Sequence, residues 1–260
     1  MVAGTQSATA SQAPEYSVFW QPGCTSCARV KEYMTKQGIP YRSVNVADDP
    51  DGMELLLKLG AKSVPIVSRG DQFTFAQSLE SVAKFIGREE KFDRLPPEEL
   101  FKRWIAVMEM AKLLIAHVPE DEWQHKPVST RDMRFLSWHI FQIPESFLKC
   151  VVEGDKDWVT ASMLPVPASV RTGGDIIAYA NRIQAHIEKW WETLADKSCE
   201  WPVQTYHGEL PAHHFLERQT WHSAQHTRQL GVALADLGVK DAPRIPPHLF
   251  AGLPMPEAIW

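Results

Sequence analysis

The pattern of apolar and polar positions changes character near residue 97. Ahead of that point the apolar runs are short and punctuated by glycine and proline. Residues 16–20, with Tyr16, Val18, Phe19 and Trp20, fit a buried strand. Pro22 and Gly23 break the run. Cys24 then opens a helical stretch over 28–37 that Gly38 ends. Residues 41–46 alternate and predict a second strand. The acidic segment 48–51 leads into a helix ending at Leu59, with Gly60 as its C-cap. Residues 64–67 read as a third strand led by Pro65, and Phe73 and Phe75 as a fourth across a turn at 69–71. A last helix is expected over 78–86. A helix joins the first two strands, which implies that they pair in parallel.

Residues 88–96 are charged and then closed by proline, as expected of a linker. Beyond them the period lengthens to that of helices. In 97–117 the stripe is Leu100, Trp104, Val107, Ala111 and Leu114, continuing to Val118 before Pro119 stops it. A second helix is expected to start at a capping box over Ser129, Thr130, Arg131 and Asp132. Its stripe is Leu136, Ile140, Ile143 and Phe147. Pro144 should interrupt and kink it one turn after His139, because proline has no N–H to give to Ile140. Residues 155–172 read as irregular. A third helix follows from Asp175, with Ile176, Ala180, Ile183, Ile187, Trp190 and Leu194 inward. A fourth runs over 211–237, with Phe215, Gln219, His222, His226, Leu230 and Leu237 inward. The remainder is proline-rich. Four long amphipathic helices predict a four-helix bundle.

Composition narrows the functional classes. The 260 residues carry a net charge of -5 and are 44% hydrophobic, enough for one large domain or two ordinary ones. No Lys/Arg block interleaved with aromatics points to nucleic acid, and no apolar run is long enough to span a membrane. The first 14 residues, rich in Ala, Ser, Thr and Gln, read as a disordered tail and not as a signal peptide. With four cysteines the chain is no disulfide scaffold, and the expected compartment is the cytoplasm.

Two of those cysteines form a motif, Cys24-Thr25-Ser26-Cys27, directly after the first strand. Some 40 residues on stands Ser63-Val64-Pro65. On these residues the N-terminal half resembles glutaredoxin, which has the thioredoxin fold. The resemblance implies a cis Pro65 facing the CxxC, and a Val64 backbone offered to a bound thiol such as glutathione. At a helix N-terminus Cys24 would favour the thiolate that attacks disulfides, and Cys27 would resolve the mixed disulfide. Where that family carries Ser-Asp or Cys-Asp for the γ-glutamyl group, this chain has Gln77-Ser78. A structural zinc half-site would need a second CxxC or a histidine pair nearby, and residues 1–87 contain neither.

The second chemical signal is three histidines. His222 and His226 are four apart, so both imidazoles lie on one face of a helix. His139 lies between Leu136 and Ile143 on the inward face of another helix. Here the C-terminal half resembles the DinB-like metalloenzyme superfamily, on the segment Trp221 to Gly231 and its distance from His139. That resemblance implies a divalent metal at His139, His222 and His226. Zinc is the first expectation, with nickel or iron as alternatives. It also implies thiol-dependent transferase or isomerase chemistry. Three neutral imidazoles with a free position suit Lewis-acid work on a thiol or water. A buried structural role is the competing reading of any one of them.

Other residues carry weaker signals. His186, His213 and His214 are minor ligand candidates, and Glu145 a candidate to orient an imidazole. Trp138 and Trp221 are expected to pack between helices, or to wall a ring substrate. Asn181, Arg182 and Arg228 are candidates to bind a carboxylate, with Arg228 better placed for helix packing. Cys150 and Cys199 read as buried thiols.

The expectation is thus an α+β multidomain chain. A tail (1–15) precedes a thioredoxin-like domain (16–87), a linker (88–96), an all-α DinB-like bundle (97–238) and a proline-rich tail (239–260). The expected function is a thiol-dependent metalloenzyme. Cys24 and Cys27 would be catalytic, Val64 and Pro65 would bind a glutathione-like thiol, and an electrophilic or ring compound would be the substrate. The reading allows a homodimer. The alternatives are a redox-regulated metal- or ligand-binding protein, or a plain glutaredoxin with an inactive bundle.

Overall fold

The structure, a computed structural model, describes residues 15–128 and 131–260. Residues 1–14 of the predicted tail lie outside the described residues, as do Ser129 and Thr130 of the predicted capping box.

The N-terminal region is a small sheet with helices. Strands β1 (Tyr16–Trp20), β2 (Tyr41–Asn45), β3 (Ile66–Arg69) and β4 (Gln72–Phe75) lie in the order β2-β1-β3-β4. β1 and β2 are parallel, while β3 is antiparallel to both β1 and β4. The alternation of side chains along β1 gives the sheet two buried faces. Val18 joins Val30, Met34 and Val67 on one, and Phe19 joins Val44, Leu56 and Ile66 on the other. The helices are α1 (Thr25–Lys36), α2 (Pro50–Lys58) and α3 (Leu79–Phe85). α1 therefore starts three residues before the predicted 28. Cys24 is its N-cap, which puts Thr25, Ser26 and Cys27 inside the first turn. The third strand starts at Ile66, two residues later than predicted, directly after the cis Val64–Pro65 peptide.

The rest is mostly helical. Helices α4 (Pro97–Ile115), α5 (Met133–Glu153), α7 (Gly173–Thr193) and α8 (Ala212–Asp236) bury the predicted stripes in one core. Trp104, Phe147 and Phe215 are fully buried there, with the ring of Phe147 packed 5.3 Å from Trp104 and 5.2 Å from Phe215. α5 begins at Met133, capped by Asp132, whose Oδ1 accepts from Phe135 N at 2.7 Å. Pro144 does not interrupt it: the helix continues through the proline to Glu153. The Ile140 carbonyl that proline leaves without its usual donor receives Ser223 Oγ from α8 at 3.5 Å.

Two elements fall in segments predicted to be irregular. A short helix α6 (Trp158–Ser162) lies within 155–172, and a hairpin of β5 (Pro202–Thr205) and β6 (Gly208–Pro211) precedes α8. Both touch the functional region. None of the described helices is long and apolar enough to cross a membrane.

The two regions are joined by polar and aromatic contacts. Tyr206 Oη accepts from Lys62 N at 3.1 Å, and Phe75 packs against Tyr206 and His207. Arg29 of α1 lies 4.9 Å from the Trp221 ring of α8. Arg94 pairs with both Glu80 and Glu217. Near the C-terminus, Glu32 accepts from the backbone of Glu257 and Ala258.

Candidate active site

The CxxC lies at the head of α1. Cys27 N donates to Cys24 Sγ at 3.2 Å, so the sulfur sits on the free N–H groups and positive end of the helix. The two sulfurs are joined as a disulfide. Ser26, between them, donates to Gln77 Oε1 at 3.3 Å.

The three histidines come together at the contact of α5 and α8, all buried. Their potential ligand atoms lie within 4.8 Å of one another, and among the described residues they are the group that could hold a metal. His222 Nε2 and His226 Nε2 are 3.1 Å apart, near the spacing of about 3.3 Å that two nitrogens take on a tetrahedral zinc. His139 Nε2 is buried with no hydrogen-bond partner among the described residues, a cost that a bound cation would remove. Burial drives His139 down to about 3, with Arg131 acting in the same direction. It holds His222 and His226 well below 6.5, with Arg218 the next cause for the first and Arg131 for the second. All three rings are therefore neutral at pH 7, the form that ligates metals. The donor set fits a divalent cation.

The second ring nitrogen of each histidine has a partner that sets its tautomer. His139 Nδ1 donates to the Ser162 carbonyl of α6 at 2.8 Å, and His226 Nδ1 to Gln229 Oε1 at 2.6 Å. Both leave Nε2 as a lone pair facing the cluster. His222 differs. Its Nδ1 lies 3.2 Å from Arg218 Nη1, which can only donate, so Nδ1 accepts and the ring proton sits on Nε2. Metal loading therefore asks that Arg218 release this nitrogen.

Both motifs open on one cavity of about 190 Å³ between the sheet region and the helices. Cys24, Ser63 and Val64 line one side, and His139, Trp158 and His222 the other. Pro65 sits behind Val64, its carbonyl accepting from Ala76 N at 3.0 Å. Gln77, at the place where the glutaredoxin resemblance would hold a γ-glutamyl group, accepts from Arg218 Nη2 at 2.9 Å. An unbroken series of hydrogen bonds thus runs from Ser26 through Gln77 and Arg218 to His222.

Several expected residues are not in this site. Glu145 orients no imidazole; it accepts from Tyr179 Oη at 2.6 Å. Asn181 accepts from Lys112, and Arg182 lies over the Tyr179 ring, away from the cavity. Arg228 anchors the C-terminal segment through the carbonyls of Pro256 and Ala258. Trp138 stacks on Tyr179 at 3.8 Å and Trp221 is buried, so the aromatic wall is instead Trp158. His213 bonds to the Leu95 carbonyl, and His186 lines an exposed groove beside Trp190. Cys150 and Cys199 are buried free thiols.

Four contributors are not among the site residues expected from the sequence. Gln229, three after His226, and Arg218, four before His222, carry a helical spacing that could have exposed them. Arg131 and Ser162 have no such signal, since both arrive through tertiary packing.

Comparison with known proteins agrees for the N-terminal region. The glutaredoxin family model matches residues 16–74. N-acetyl-S-hydroxy-L-cysteine reductase of Bacillus subtilis (strain 168) is 33% identical over 60 residues, which is 22% of this chain and 64% of that protein. The gene 56 protein of Mycobacterium phage L5 is 38% identical over 52 residues, 20% of this chain and 50% of that protein. The chain thus spans between half and about two-thirds of these relatives' length. Glutaredoxin-like protein NrdH of Lactococcus lactis subsp. cremoris (strain MG1363) is 23% identical over 60 residues, 23% of this chain and 82% of that protein. Among solved structures, the mycothiol-dependent maleylpyruvate isomerase aligns at a TM-score of 0.39 with 15% identity, covering 57% of this chain and 65% of that one. With its CxxC at the head of α1, its cis Val64–Pro65 peptide and this family match, residues 16–74 are a glutaredoxin domain, joined in one chain to a helical C-terminal region.

Proposed function

We propose that the chain is a thiol-handling metalloenzyme whose two motifs serve one cavity. In this reading residues 16–87 are the redox domain and 97–238 a DinB-like metal-binding bundle, acting on small molecules in the cytoplasm. His139, His222 and His226 hold a divalent cation, zinc first. When bound, it supplies a Lewis acid that favours the deprotonated form of a thiol or water at its open position. The reactions this suits are S-transfer to an electrophile, isomerisation through a thiol adduct, and cleavage of a C–S bond. Val64 and Pro65 offer the backbone against which a glutathione-like thiol lies.

The redox half works through the chain's own sulfurs. Reduced Cys24, as thiolate, attacks one sulfur of a mixed disulfide and expels the other as a thiolate that takes up a proton. Cys27 then attacks Cys24 Sγ, releases the second thiol and closes the Cys24–Cys27 bond. Two molecules of the low-molecular-weight thiol return the two electrons and leave as their own disulfide. Substituting Cys24→Ser removes this exchange.

The observation that carries the proposal is the shared cavity, with Cys24 and Val64 on one wall and His139 and His222 on the other. The test is the rate of reduced glutathione with an electrophile such as 1-chloro-2,4-dinitrobenzene, on EDTA-treated and zinc-loaded protein. The loaded protein should be faster by roughly 100-fold, with His139→Ala at the metal-free rate. Equal rates with and without metal contradict the proposal.

A further inference from the structure

We infer that the cavity between Cys24 and the histidines takes a small molecule bearing a carboxylate, held by the guanidinium groups of Arg131 and Arg218. This deepens the function proposed above, and rests on it only for the use made of the cavity.

Lys62, Arg131 and Arg218 line the cavity, and neither an Asp nor a Glu does so among the described residues. Two other shielded guanidiniums meet acids, Arg94 with Glu80 and Glu217 and Arg103 with Glu99, while Arg134 and Arg228 bond to backbone carbonyls instead, away from this cavity. Arg131 and Arg218 have no carboxylate partner among the described residues. Arg218 is buried, and its bonds go to the neutral acceptors Gln77, Gln219 and His222, with its guanidinium 4.1 Å from the Trp158 ring centre. Arg131 is half-buried. Among the described residues its guanidinium makes a long hydrogen bond to His226 Nε2, 3.4 Å, and faces the Phe135 ring.

A guanidinium keeps its charge at neutral pH. Holding positive groups in a cavity without an anion is unfavourable unless the occupant supplies one. A divalent cation on the histidines would add to the excess. A carboxylate is the anion that planar guanidiniums bind with paired hydrogen bonds. It would also draw Arg131 and Arg218 off His226 and His222, freeing the lone pairs that a metal needs.

The carboxylate has two sources, the thiol cofactor or the compound it reacts with. Isothermal titration of the full chain distinguishes them, metal-free after EDTA and again after zinc loading. The probes are succinate, succinamide, glutathione and glutathione dimethyl ester. Binding of succinate assigns the subsite to the non-thiol partner. Glutathione binding above its ester with no succinate binding assigns it to the thiol. In either case Arg131→Met and Arg218→Lys each weaken the carboxylate ligand by roughly tenfold or more. Arg218→Lys keeps a cation at the domain contact, and Arg131→Met leaves that contact untouched, so the pair guards against loss of folding. The inference is overturned if succinamide and the ester bind as well as the acids, if no carboxylate binds, or if both variants bind like the parent. The metal-free arm keeps the two ideas apart: carboxylate binding without zinc uptake would leave this inference standing and the metal reading fallen.

Discussion

Each imidazole of the triad is held by a different kind of group. Ser162 offers a backbone carbonyl, Gln229 a side-chain amide, and Arg218 a donor. The first two leave Nε2 as the lone pair, which on His226 meets Arg131 at 3.4 Å, while the third does the reverse. Gln229 also donates Nε2 to the Ile259 carbonyl, so its own orientation is set from the C-terminal segment. Gln229→Leu keeps the volume and removes the acceptor from His226 Nδ1. Zinc affinity, measured by competition with a chromophoric chelator, should fall by roughly 10- to 100-fold. Unchanged affinity would mean that the ring needs no such support. At this scale the ligand candidates were readable, because an i, i+4 pair has a fixed meaning on a helix. Their partners were only half readable. Gln229 and Arg218 share the helix and its period with the histidines, whereas the Ser162 carbonyl is a backbone atom brought in by a short helix that no stripe announces.

At the scale of elements, α5 and α8 do the positioning. α5 delivers His139 from a start fixed by Asp132, and carries Pro144 without ending. The proline's effect is spent on one carbonyl, Ile140, which meets Ser223 next to His222. The expected break did not occur because residues on both sides of Pro144 are buried in the same core, and packing outweighs one missing backbone bond. Asp132→Ala removes the cap of this helix. Chemical denaturation should show a loss of about 1 kcal/mol. A midpoint equal to that of the parent would show that α5 is anchored by its packing alone. Long stripes made the four bundle helices legible. The β5–β6 hairpin and α6 were not legible, because each is only four or five residues long and gains its stability from neighbours. Those short pieces supply Ser162, Trp158, Tyr206 and His207 to the contact with the glutaredoxin domain.

At the scale of the whole molecule, the domains are docked so that a sulfur and a nitrogen cluster share one opening. Polar ties hold them there: Arg218 to Gln77, Lys62 to Tyr206, Arg94 between Glu80 and Glu217, and Glu32 to the C-terminal backbone. No sequence period reports such a contact, so the two motifs could be read separately but their meeting could not. The docking gives the open side of the histidine cluster its neighbour, the CxxC. The most direct measurement is a cobalt(II) titration of the reduced full chain, followed by visible absorption and then by addition of glutathione. The account predicts one cobalt per chain, no binding by His222→Ala, and a thiolate-to-cobalt charge-transfer band once thiol is added. A chain with all three histidines intact that takes up no stoichiometric cobalt would contradict it.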